Sequence, residues 1–74
     1  MNLNQLFGCT VKEIRKEKGL SQELLAEKAE LSRAYVSRLE RGVCNPRLDT
    51  IFKISNALSC KASYFIGCME KQLK

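Results

Sequence analysis

The sequence predicts an all-α domain of five helices. Three observations predict it. Apolar residues recur at helical spacing along the whole chain, and no run alternates apolar with polar as a half-buried strand would. Gly19, Gly42 and Pro46 fall between the apolar stretches, where helices are expected to stop or start. Hydrophobic residues make up 45% of the chain and charged residues 28%, the balance of a globular protein rather than a disordered one.

Each element follows from local pattern. Phe7, Val11 and Ile14 stand at i, i+4 and i+7, giving a first helix from about Leu3 to Lys18, stopped by Gly19. Ser21 caps a second helix, QELLAEKAE, with Gln22 and Glu23 in its first turn and Leu24, Leu25 and Ala29 inward. A short turn through Glu30 and Leu31 leads to Ser32, which caps a third helix ending at Gly42. After the loop VCNP, a fourth helix runs from about Pro46 or Arg47 to Leu58, with Leu48, Ile51, Ile54 and Leu58 on one side. A fifth, short helix is expected near Ala62 to Ile66, followed by a tail containing Met69 and Leu73. Val36, Leu39, Leu24, Ala26, Ile51 and Ile54 read as core.

The third helix, RAYVSRLER, has two unlike sides. At about 100° per residue, Arg33, Ser37, Arg41, Ala34 and Arg38 fall within an arc of about 140°, and no acid lies among them. Val36 and Leu39 face the other way, with Tyr35 on the border and Glu40 at the edge of the packing side. A merely solvated helix face mixes Lys with Glu at i, i+4. The connection to the second helix is a turn of about three residues, which forces a steep crossing and pushes the third helix outward. That is helix-turn-helix geometry, and it places the arginine face where it can enter the major groove of double-stranded DNA.

Charge points the same way. The net charge is +5, yet residues 1–30 carry five Lys/Arg against five Asp/Glu. Residues 31–48 hold four of the chain's five arginines, Arg33, Arg38, Arg41 and Arg47, against Glu40 alone. Concentrated arginine suits phosphates and base edges.

Other chemistry is not expected. The four cysteines, Cys9, Cys44, Cys60 and Cys68, contain no C-x-x-C and the chain has no histidine, so no metal site is expected. Cys44 lies in a predicted loop, where exposure would leave it open to oxidation. The start, MNLNQLFGCTVKEIRK, has no basic segment followed by a long apolar one, and no apolar run has membrane-spanning length. The expectation is a cytoplasmic protein with reduced thiols and no membrane partner. With no Ser or Cys nucleophile beside a base and no Gly-rich phosphate loop, no enzyme activity, cofactor or small-molecule ligand is expected.

The segment IRKEKGLSQELLAEKAELSRAYVSRLERGVCNPRLDTIFKISNAL, residues 14–58, carries a spaced frame. It reads GLSQ, then Leu25–Ala26, then V-x-x-L-E-x-G over Val36 to Gly42, then P-x-L-x-T-I, then AL. On these motifs the chain resembles the Cro and phage-repressor, or XRE-type, family of helix-turn-helix proteins. SRAYVSRLERGVCNPRLDTI looks like the controller proteins of restriction–modification systems.

The resemblance implies a lambda-repressor-like DNA-binding domain with the motif at 14–58; the five helices make one domain over residues 1–74, and its C-terminal part, 61–74, is expected to serve dimerisation. The resemblance also implies base reading by Arg33, Ala34, Ser37 and Arg38. Arginine offers two donors to guanine O6 and N7, and Ala34 suits a thymine methyl. It implies backbone contacts by Gln22, Tyr35, Asn45 and Arg47; Arg41 joins them on helical geometry alone. Arg15 and Glu40 match a pair that in the family bridges the first and third helices. The family usually has glycine where this chain has Glu30, so Glu30 must tolerate a positive φ or reshape the turn, at roughly 1 kcal/mol.

Phe52, Phe65, Ile66 and Met69 are more apolar surface than so small a core requires, and part of the set is expected to form a homodimer interface. One short helix reads few base pairs, so a two-fold dimer on a near-palindromic operator is the expected regulator of transcription. The competing reading is a protein-interaction module of antitoxin or coactivator type that reads little DNA sequence.

Overall fold

A computed structural model describes residues 2–73. Its elements are α1 (Leu3–Glu17), α2 (Gln22–Ala29), α3 (Arg33–Arg41), α4 (Leu48–Ala57) and α5 (Ala62–Gln72). Capping explains most of the starts. Asn2 and Gln5 form a reciprocal capping box at α1, while Ser21 and Ser32 each accept a backbone N–H from three residues ahead.

The same closure ends four helices in succession. At Gly19, Glu30, Gly42 and Ser59 the backbone turns left-handed, and the next N–H reaches back to a carbonyl five residues before it, as from Leu31 to Ala26 at 2.8 Å. Glycine bears this readily at two of the four. Glu30 takes φ 59° and ψ 41° instead, so the α2–α3 turn keeps its shape and the glutamate carries the strain.

Two glycines decide how α1 meets α3. A methyl group on Gly8 would strike the carbonyl oxygen of Leu39 and lie 2.7 Å from that of Glu40. One on Gly42 would lie 2.7 Å from Gln5 Cα. The backbone of α1 therefore rests directly on the C-terminal turn of α3.

The core gathers Leu6, Phe7, Val11 and Ile14 of α1, Leu25, Ala26 and Ala29 of α2, Val36 and Leu39 of α3, and Ile54 and Leu58 around α4. Side chains the size of Val36 and Leu39, both fully buried, each contribute about 1.5–3 kcal/mol by leaving water. With their inner side fixed, the orientation of the outer side of α3 is fixed as well.

Several expectations are corrected. The fifth helix does not stop near Ile66; it continues to Gln72, because Met69, one turn beyond Phe65, docks into the same core. Phe65 and Met69 are therefore taken up by the core rather than left as surplus apolar surface. Phe65 is fully buried with its ring 5.3 Å from that of Phe7, and Met69 is 9% exposed. Phe52 and Ile66 of the same set remain exposed. Leu24 is not core, since it stands outside the buried arc of its helix, and Ile51 is only half-buried; Leu48 does not share the buried side of Ile54 and Leu58.

Candidate nucleic-acid interface

The outer side of α3 brings Arg33, Ala34, Ser37, Arg38 and Arg41 together around one shallow depression. Arg33, Ala34, Arg38 and Arg41 are exposed and Ser37 is half-buried. Among the described residues, no carboxylate pairs with any of the three arginines. Arg41 donates through Nε to the Ser37 carbonyl at 3.4 Å, and Arg38 lies over the Tyr35 ring at 5.8 Å from its centroid. Both contacts hold guanidinium groups near the helix surface without neutralising them. The result is a positive, donor-rich ridge that suits a polyanion with acceptor edges.

The inner edge of α3 is built differently. Glu40 and Arg15 form a buried two-point pair, Nε to Oε2 at 2.6 Å and Nη2 to Oε1 at 3.1 Å. Arg15 also donates to the Leu20 carbonyl at 2.7 Å, which ties the end of α1 into the same cluster. Gln22 adds a third connection. Its Nε2 donates to Glu40 Oε1 at 3.0 Å, and its Oε1 accepts from Arg33 Nη1 at 3.3 Å. A continuous hydrogen-bonded line thus runs from the α1 interior, through Glu40 and the first residue of α2, to the first arginine of α3. Sequence reasoning matched the Arg15–Glu40 pair but missed this use of Gln22, since no periodicity links residues 11 and 18 apart in the chain.

The remaining expected contacts lie apart from that depression. Asn45 and Arg47 are exposed on the loop between α3 and α4. Arg47 faces Asp49 across 3.5 Å, an exposed pair of small energetic weight. All four cysteines are free and half-buried, and Cys44 and Cys60 pack against the core. A hydrogen bond with Cys68, with the charges of Cys68 and Glu17 behind it, pushes the Tyr64 phenol above its ordinary value. Among the described residues no cluster has metal-ligand geometry, and no helix is long and apolar enough to cross a membrane.

Against known proteins, the helix-turn-helix family model matches residues 11–65, most of the chain. The chain belongs to the helix-turn-helix family.

Among its curated relatives, the control protein C.BamHI of Bacillus amyloliquefaciens is 50% identical over 58 residues, covering 77% of this chain and 72% of the relative. The immunity repressor protein of Bacillus phage phi105 is 45% identical over 60 residues, covering 81% of this chain. The chain spans only 42% of that repressor's length. Among solved structures, the restriction–modification controller protein C.Esp1396I, a tetramer in complex with its natural 35 base-pair operator, superposes with a TM-score of 0.89. It is 32% identical and the match covers 96% of this chain and 93% of the controller. The helix-turn-helix protein described here is a DNA-binding regulator of transcription, and its relatives are regulators rather than enzymes.

Proposed function

We propose that this helix-turn-helix protein is a cytoplasmic, single-domain regulator that binds a near-palindromic operator as a homodimer, in the manner of restriction–modification controllers. The observation that carries the proposal is the acid-free arginine face of α3, held outward by a helix whose inner side is locked into the core. The likeness to control proteins, including one solved on its operator, supports the same reading.

In this account α3 enters the major groove. Arg33 and Arg38 read guanine O6 and N7, Ser37 makes a further base-edge contact, and Ala34 meets a thymine methyl. Gln22 at the start of α2, Tyr35, Arg41, Asn45 and Arg47 hold the phosphates on either side. The line from Glu40 through Gln22 limits how Arg33 swings. The side chain that reads a base is thereby partly ordered before binding, which lowers the entropy lost on contact.

Salt dependence tests the partition between phosphate and base contacts. Fluorescence anisotropy of operator binding is expected to show log affinity falling linearly with log salt. Replacing Arg41 with Ala is expected to reduce the magnitude of that slope by about 0.9 while leaving base preference unchanged. A wild-type slope near zero would contradict DNA binding through this face. It would favour an apolar protein partner instead.

A further inference from the structure

The α4 helix turns two large apolar side chains outward. Leu48 is 72% exposed and Phe52 51%, four residues apart on one face. Asp49 and Lys53 stand beside them at the same spacing, also exposed. With Arg47, these four residues line a shallow depression that shares no residue with the one among the arginines of α3. Arg47 at its edge is the one residue shared with the DNA reading, which has no use for Leu48, Asp49, Phe52 or Lys53.

The order of charges along the face says what fits it. Running along α4, one acid is followed one turn later by one base, with the apolar pair alongside; Arg47, just before the helix, faces the acid only through an exposed 3.5 Å pair that leaves it open to a second cation. A DNA backbone would oppose Asp49 and gain nothing from Leu48 or Phe52. A partner of uniform charge would oppose either Asp49 or Lys53. A second copy of α4 running antiparallel opposes neither, because the order of charges is reversed in the copy. That is the self-complementarity a two-fold interface demands, in which residue i meets j and j meets i.

We propose that two copies of this chain pair through α4, antiparallel about an axis that passes the helix near Thr50 and Ile51, with Leu48 of one protomer against Phe52 of its partner. Asp49 of each protomer faces Lys53 of the other. The apolar pair supplies the attraction and the two ion pairs set the register and exclude other partners. The inference rests on the homodimer reading and names its surface.

Sedimentation of the full chain without DNA tests it, using Asp49→Lys, Lys53→Asp, both together, and an equal mixture of the two single variants. The wild type is expected to be a dimer. Each single variant replaces two opposite-charge contacts with two like-charge ones, which raises the dimer Kd by roughly tenfold or more. The double variant restores the pairing. So does the mixture, in which a two-lysine helix meets a two-aspartate helix; recovery there shows that the single variants are folded. A wild-type dimer untouched by any of the variants would overturn this interface and leave the homodimer reading standing. A wild type that stays monomeric, both free and on its selected operator, would overturn both.

Discussion

Arg15 and Arg38 bring the same guanidinium to two sides of one helix, α3, and the surroundings decide what each does. Arg15 reaches the inner edge of α3, where it is almost fully buried and grips Glu40 at two points. Arg38 stands on the outer side of the same helix, exposed, with Tyr35 beside it and no carboxylate. At the inner edge each of the three guanidinium nitrogens finds an acceptor within the protein, so the charge fixes a helix in place. On the outer face the donors are turned to solvent, so the charge is available to a partner. The lesson is that arginine content alone does not define an interface. What defines it is arginine presented by a firmly held helix without its own counterion.

The comparison breaks most visibly at Glu40. Glu40→Ala leaves Arg15 buried and unpaired and releases Gln22, so unfolding free energy is expected to fall by about 3–5 kcal/mol. Chemical denaturation measures this directly, and a loss under about 1 kcal/mol would mean that solvent reaches the pair. Arg38→Ala is the opposite case. Stability should stay within about 0.5 kcal/mol of wild type, while discrimination at one base pair per half-site drops by about 1–3 kcal/mol. Binding to operators mutated base by base shows whether the loss is confined to one mirrored position.

A smaller change sharpens the comparison by relieving strain in the turn that holds α3 outward. Glu30→Gly removes a side chain from a left-handed position and is expected to stabilise the fold by up to about 1 kcal/mol, read as a higher midpoint of thermal unfolding. Affinity for operator should hardly move, because the turn already has the shape that glycine would allow.

Much of this architecture was legible in the sequence. The two-sided α3 follows from helical periodicity, and the Arg15–Glu40 pair from the family motif. The turn at Glu30 was expected to strain or deform, and it strains. What escaped was set by tertiary contact. Apolar count does not tell a buried side chain from an exposed one, so it marks Phe65 and Met69 as surplus surface. They pack inside because α5 runs a turn and a half further than its pattern suggested. Leu24 was read as core from residue type, though the buried arc of α2 passes through Leu25, Ala26 and Ala29. The role of Gln22 depends on the crossing of α2 and α3, and the closeness of α1 to α3 on two missing side chains, at Gly8 and Gly42. Neither Gln22's role nor the two glycine contacts leaves a periodic trace.

The central claim is that the outer face of α3 reads DNA sequence while its inner edge only holds it. Selection from a random duplex library by the purified, reduced protein, with the bound pool sequenced, tests this most directly when wild type and Arg38→Ala are run side by side. The wild type is expected to enrich a near-palindrome with guanines at mirrored positions and half-sites about one helical turn apart. The variant should lose one guanine from each half-site and keep the rest. A wild-type pool indistinguishable from the input, at a salt concentration where the protein is folded, would contradict the account.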